Sequence, residues 1–75
     1  MSNVAKPLNP RRAQIEEYAG GSIPFADWLQ RVDEICERRT GMSVLDLEDF
    51  RWRDAFDDDE RPAAACRRFL EEIGL

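Results

Sequence analysis

Carboxylates are the most numerous reactive groups in this chain, and they cluster. Asp46, Glu48, Asp49, Asp54, Asp57, Asp58, Asp59 and Glu60 lie between positions 46 and 60, against Arg51 and Arg53, a net −6. Oxygen-rich loops bind calcium or magnesium, but the helix–loop–helix calcium site needs alternating acids, a central Gly and a terminal Glu. Here Asp57-Asp58-Asp59-Glu60 run consecutively and no Gly interrupts the segment. A solvated acidic face is the expectation, with Asp46 and Asp49 as helix caps. No metal or cofactor is expected.

The other reactive groups point away from catalysis. Cys36 and Cys66 are the only cysteines, and there is no His. A nucleophilic Cys needs a base, commonly His, and a tetrahedral zinc site needs more ligands than these. Both are expected to be inert thiols on helical apolar faces. If those faces meet, a disulfide is geometrically conceivable, provided the Cα atoms come within about 7 Å. Asp33 sits at the edge of an apolar stripe and is expected to be tied to a backbone N–H or an Arg, with Arg53 as candidate. Arg61, Arg67 and Arg68 resemble a basic spot, but Glu71 and Glu72 suit Arg67–Glu71 and Arg68–Glu72 pairs instead. No phosphate-binding Gly loop and no nucleophile–base spacing is present, so no enzyme is expected.

The helix that must position these groups runs from Phe25 to Cys36. Phe25, Trp28, Leu29, Val32, Ile35 and Cys36 recur at steps of three and four and share one helical face. Asp27, Gln30, Arg31, Glu34 and Arg38 take the other, with Asp27–Arg31 and Glu34–Arg38 spaced for ion pairs. Ser22 is the expected N-cap, Pro24 fits the first turn, and Gly41 supplies the left-handed stop. Ser43 and Asp46 match a capping box in spacing, which predicts a short second helix or a pair of turns through Leu47, Phe50 and Phe56. Arg61-Pro62 opens a last helix with a stripe of Ala65, Cys66, Phe69, Leu70 and Ile73, ended by Gly74. Trp28 is expected in the core. Trp52, between Arg51 and Arg53, fits the core of so short a domain better, yet an exposed Trp there would be a binding patch.

Upstream, Asn9 and Pro10 are spaced to start a helix over 11–19, ended by Gly20-Gly21. Its apolar content is thin, so docking of Ile15 and Tyr18 and a frayed tail are equally open. Residues 1–8 read as disordered or extended. The division is therefore a flexible or short-helical arm over 1–21 and one compact helical domain over 22–75. The fold class is a small all-α three-helix domain, with a short N-terminal helix as a possible addition.

The whole chain has 75 residues and a formal charge of −5. That size suits one domain of modest stability. A secretory leader and a membrane-length apolar run are not seen in the sequence, and a cytoplasmic location with reduced thiols is the expectation. Nucleic-acid backbones draw on clustered positive charge, the opposite of segment 46–60.

Residues 25–75 resemble a family of short bacterial, plasmid and phage proteins of unknown function. The pattern that carries it is Trp28-x-x-x-Val32-Asp33, then Gly41-x-Ser43-x-x-Asp46-Leu47-x-Asp49, then Phe56, then Pro62-x-x-Ala65. Members often have Gly in the loop here occupied by Asp59-Glu60, and Ser where Arg61 stands. The resemblance implies a fold and carries no activity.

Two functions are expected from the surface. The first is a protein-binding module whose acidic segment meets a basic partner surface, with Asp49, Trp52, Asp57, Asp58, Asp59 and Glu60 as contact residues. Complementary charge steers such encounters. The alternative is an inhibitor encoded by a mobile element that imitates a nucleic-acid backbone. Direct nucleic-acid or membrane binding is not expected, and a homodimer is open because a short core leaves apolar surface to cover.

Overall fold

The computed structural model describes residues 10–47 and 49–74. Asn9, Glu48 and the expected disordered segment 1–8 lie outside the described residues. Among the described residues four helices follow in order: α1 (Arg12–Tyr18), α2 (Ile23–Thr40), α3 (Trp52–Asp57) and α4 (Pro62–Glu72). Among the described residues there is no strand. The all-α expectation holds, and the N-terminal helix joins the three expected ones.

The longest helix, α2, forms as its sequence dictates. The Ser22 hydroxyl accepts a hydrogen bond from the Phe25 N–H, Pro24 sits in the first turn, and Gly41 ends the helix at φ 78°. Only the left-handed region suits that turn, where a Cβ is penalised. Phe25, Leu29, Val32 and Cys36 are buried, with Trp28 and Ile35 half-buried beside them. Ala26 and Asp33 join the buried face.

Helix α4 covers this face with Ala65, Cys66, Phe69 and Leu70, all buried. Between α2 and α4 runs a column of rings. Phe25 meets Phe56 at 5.1 Å, Trp28 meets Phe56 at 5.8 Å and Trp52 at 6.3 Å. Trp52 then meets Phe69 at 4.9 Å and Phe50 at 4.6 Å. Tilted and edge-on rings at these separations attract beyond simple burial. The Trp28 indole Nε1 donates to the Glu60 carbonyl at 2.8 Å, so its polar edge is satisfied.

The short helices depend on this body. Helix α1 has seven residues and no side-chain N-cap. It is too short to stand alone in water. Ile15 and Ala19 are buried in the core, whereas Tyr18 remains exposed. Arg12 reaches across to Asp27 at 2.9 Å and to Gln30 at 2.7 Å. Asp27 therefore pairs with Arg12 rather than the expected Arg31, and Glu34 accepts from Gln30 rather than pairing with Arg38.

Of the two outcomes expected after α2, a short helix or a pair of turns, the chain forms turns over 43–47, without the capping box. Residues 44–46 form a turn, closed by the Asp46 N–H on the Ser43 carbonyl at 3.0 Å, and no helix begins there. The Ser43 hydroxyl is committed elsewhere: it donates to Asp33 and accepts from the Leu45 N–H. Helix starts only resume at Trp52, whose N-cap Arg51 offers no side-chain bond. The expected capping roles of Asp46 and Asp49 are therefore not filled.

Candidate functional site

The acidic segment is held in place by a buried clasp. Asp33 on α2 is fully buried. Its Oδ1 accepts the Ser43 hydroxyl at 2.6 Å and the Val44 N–H at 3.0 Å. Its Oδ2 accepts Arg11 Nε at 3.3 Å, and Arg11 continues to Glu37 at 2.7 Å. A buried charge persists when paired and hydrogen-bonded in this way. One carboxylate thus fastens the start of α1 and the 43–47 turn to α2. The partner is Arg11 and not the expected Arg53, which instead pairs with Asp57 at 3.2 Å and lies over the Phe25 ring at 5.4 Å.

The run of acids at 57–60 closes α3. The Glu60 N–H bonds the Ala55 carbonyl at 3.1 Å and the Asp59 N–H bonds the Phe56 carbonyl at 3.0 Å. That pattern is a Schellman cap, whose penultimate position must be left-handed. Asp59 occupies it at φ 60°, a conformation that glycine adopts more easily.

The six contact residues expected from sequence divide clearly. Asp49, Asp58 and Asp59 are exposed and form no ion pair with the described residues. Asp57 is exposed but spent on Arg53. Glu60 is half-buried and binds Arg68 at 2.7 Å, while Arg68 also reaches Glu72 at 3.4 Å and covers the Phe50 ring at 4.8 Å. Trp52 is 2 % exposed and belongs to the ring column, so it is removed from the contact surface. The domain is too small to leave so large a ring outside its core.

The exposed aromatic beside the acids is Tyr18, at 44 % exposure. It lines a shallow cleft of about 320 Å³ with Gln14, Glu17, Leu45 and Asp46. Its hydroxyl donates to the Phe50 carbonyl at 3.4 Å. Partial burial pushes the Tyr18 phenol above its usual pKa, and the Asp49 charge adds to the shift. Spacing in the sequence does not reveal that Tyr18 and Glu17 share a cleft with Asp46, which lies about thirty positions away. The only signal was the position of Tyr18 on the sparse apolar face of α1.

On another face, Arg39, Arg61 and Arg67 line a second hollow with Ala63 and Ala64. The expected Arg67–Glu71 pair is not formed, whereas Arg68–Glu72 is. Among the described residues, no three His, Cys, Asp or Glu side chains converge to hold a metal ion. No described helix is long and apolar enough to cross a membrane. No protein-family model matches this chain, and neither does any curated protein or solved structure.

Proposed function

We propose that this protein is a binding module whose acidic face receives a basic segment of a partner protein. The observation that carries the reading is the set Asp46, Asp49, Asp54, Asp58 and Asp59. All five are exposed, and none has a cation partner among the described residues. Arg53 and Arg68 are engaged with Asp57 and with Glu60 and Glu72, and Arg51, exposed in the same segment, forms no ion pair with these acids among the described residues. Uncompensated like charges weaken the compact state, so their local stability does not account for them. Tyr18 supplies what charge alone lacks. A rigid, half-exposed aromatic beside carboxylates can pack on the methylene stems of Lys or Arg while the acids take their heads.

The nucleic-acid-mimic reading asks for an unbroken run of free carboxylates. Here Asp57 and Glu60 are neutralised by Arg53 and Arg68 at either end of the run. A protein partner with a short basic segment fits better, and no catalytic role is proposed. The resemblance to short plasmid and phage proteins is compatible with such a module.

The test is capture of a partner from host lysate at low salt, followed by titration of a synthetic peptide spanning that partner's basic segment. Asp46→Asn with Asp49→Asn, and separately Tyr18→Ala, should each weaken peptide binding at least tenfold while far-ultraviolet circular dichroism stays unchanged. Affinity equal to that of the parent protein in both variants would overturn the reading.

A further inference from the structure

The proposed surface leaves one pair of reactive groups unused. Cys36 on α2 and Cys66 on α4 are both 0 % exposed and both free thiols. Their sulfurs face each other at 2.6 Å across the interface between the two longest helices. A single buried Cys behaves as a small hydrophobe, but two in contact already have the neighbour that oxidation requires.

We propose that Cys36 and Cys66 form an oxidation site, converted by a low-molecular-weight disulfide into a bond that ties α2 to α4. The step balances as thiol–disulfide exchange. One cysteine, as thiolate, attacks a sulfur of the reagent, and one reagent thiolate leaves and takes a proton. The second cysteine, also as thiolate, displaces the other reagent thiolate from the mixed disulfide. The protein loses two electrons and two protons, and the reagent becomes two thiols.

The fold governs when this happens. Burial, and then the hydrogen bond to Cys66, push the Cys36 thiol well above its usual pKa. Closed α4 therefore keeps Cys36 protonated and both sulfurs out of reach, and the exchange runs through molecules in which α4 has lifted from α2. The two cysteines stand 30 positions apart. The acidic segment 46–60 lies wholly between them, so the bond would close a covalent loop around it. This inference does not depend on the partner proposed above.

The full chain is incubated with oxidised glutathione, with and without urea below the unfolding transition. The expected product is a monomer lighter by two hydrogens, without a glutathione adduct, that yields a proteolytic peptide linking Cys36 to Cys66. Closing a loop of this length should raise Tm by about 10–20 °C, reversibly with dithiothreitol. Urea should speed the oxidation several-fold. Two free thiols persisting in urea, a stable glutathione adduct, a disulfide-linked dimer, or equal Tm for both forms would each overturn the proposal. Cys36→Ala and Cys66→Ala should each show no Tm rise on the same treatment, and a rise in either would overturn it. The comparison of oxidised and reduced parent protein stands even if a variant fails to fold.

Discussion

Asp33 ties two segments to α2 at once, because it serves three donors, Arg11 at the start of α1 and Ser43 and Val44 in the turn after α2. Asp33→Ala would leave the Ser43 hydroxyl, the Val44 N–H and Arg11 facing a void. Breaking such a buried arrangement costs about 3–5 kcal/mol. Asp33→Asn keeps one acceptor oxygen and should cost about 1–3 kcal/mol. Urea unfolding followed by circular dichroism measures both, and a loss under 1 kcal/mol for Asp33→Ala would refute the clasp. Tyr18 gives a second measurement at this scale, since it is the only tyrosine in the chain. Its pKa is raised in the folded state by partial burial and then by Asp49. The unfolded chain gives up this proton first as pH rises. Between the two values the folded state holds one more proton, so this contribution is complete below the ordinary tyrosine pKa and is lost as pH climbs through the raised one. An ultraviolet titration of tyrosinate should show Asp49→Asn moving the Tyr18 pKa downward. An unmoved titration curve would separate Tyr18 from Asp49 and weaken the proposed contact surface.

Among the elements, those with a long periodic stripe were legible and the short ones were not. Helices α2 and α4 announce themselves through Phe25 to Cys36 and Ala65 to Ile73, and their limits follow from Ser22, Gly41, Pro62 and Gly74. Helix α1 offers equal grounds for docking and fraying in the sequence, because its seven residues hold through Ile15, Ala19, the reach of Arg12, the Tyr18 hydroxyl and the Arg11–Asp33 pair at its start. Such contacts are set in three dimensions and leave no periodic trace. Ser43 shows the converse: its spacing to Asp46 suggested a cap, but a buried carboxylate ten positions upstream claimed its hydroxyl. For the surface, Asp49, Asp58 and Asp59 were legible as exposed acids. Tyr18 was not, since nothing local ties α1 to the 45–50 segment. Ile15→Ala should cost about 2–5 kcal/mol, a large part of the total stability of a domain this size. Hydrogen exchange should show α1 amides losing protection before those of α2. At the other short element, Asp59 bears the left-handed cap of α3. A non-glycine residue there costs about 1–2 kcal/mol, less for Asp, while Gly loses about 0.5–1 kcal/mol of chain entropy on folding. Asp59→Gly should therefore stabilise slightly, by about 0.5 kcal/mol in urea unfolding, and clear destabilisation would show that the carboxylate itself supports the cap.

For the whole molecule, charge and packing pull in opposite directions. The apolar stripes of α2 and α4 are covered from within, and among the described residues the large apolar side chains left most exposed are Tyr18, Ile23 and Met42. The net charge of −5 is meanwhile concentrated in one segment. Ions shorten the reach of that repulsion from about 30 Å at 0.01 M salt to about 10 Å at 0.1 M. Packing responds little over that range, so added salt should raise Tm through screening alone. Asp58→Asn with Asp59→Asn removes two carboxylates that have no cation partner among the described residues. That variant should melt at or above the parent in low salt and show a shallower rise as salt is added. A purely structural role for these acids predicts the reverse, with Tm falling at every salt concentration. Differential scanning calorimetry across the salt series decides between the two. If the variant melts higher while binding its basic partner more weakly, the acids are kept at a cost to the fold, and recognition is what they serve.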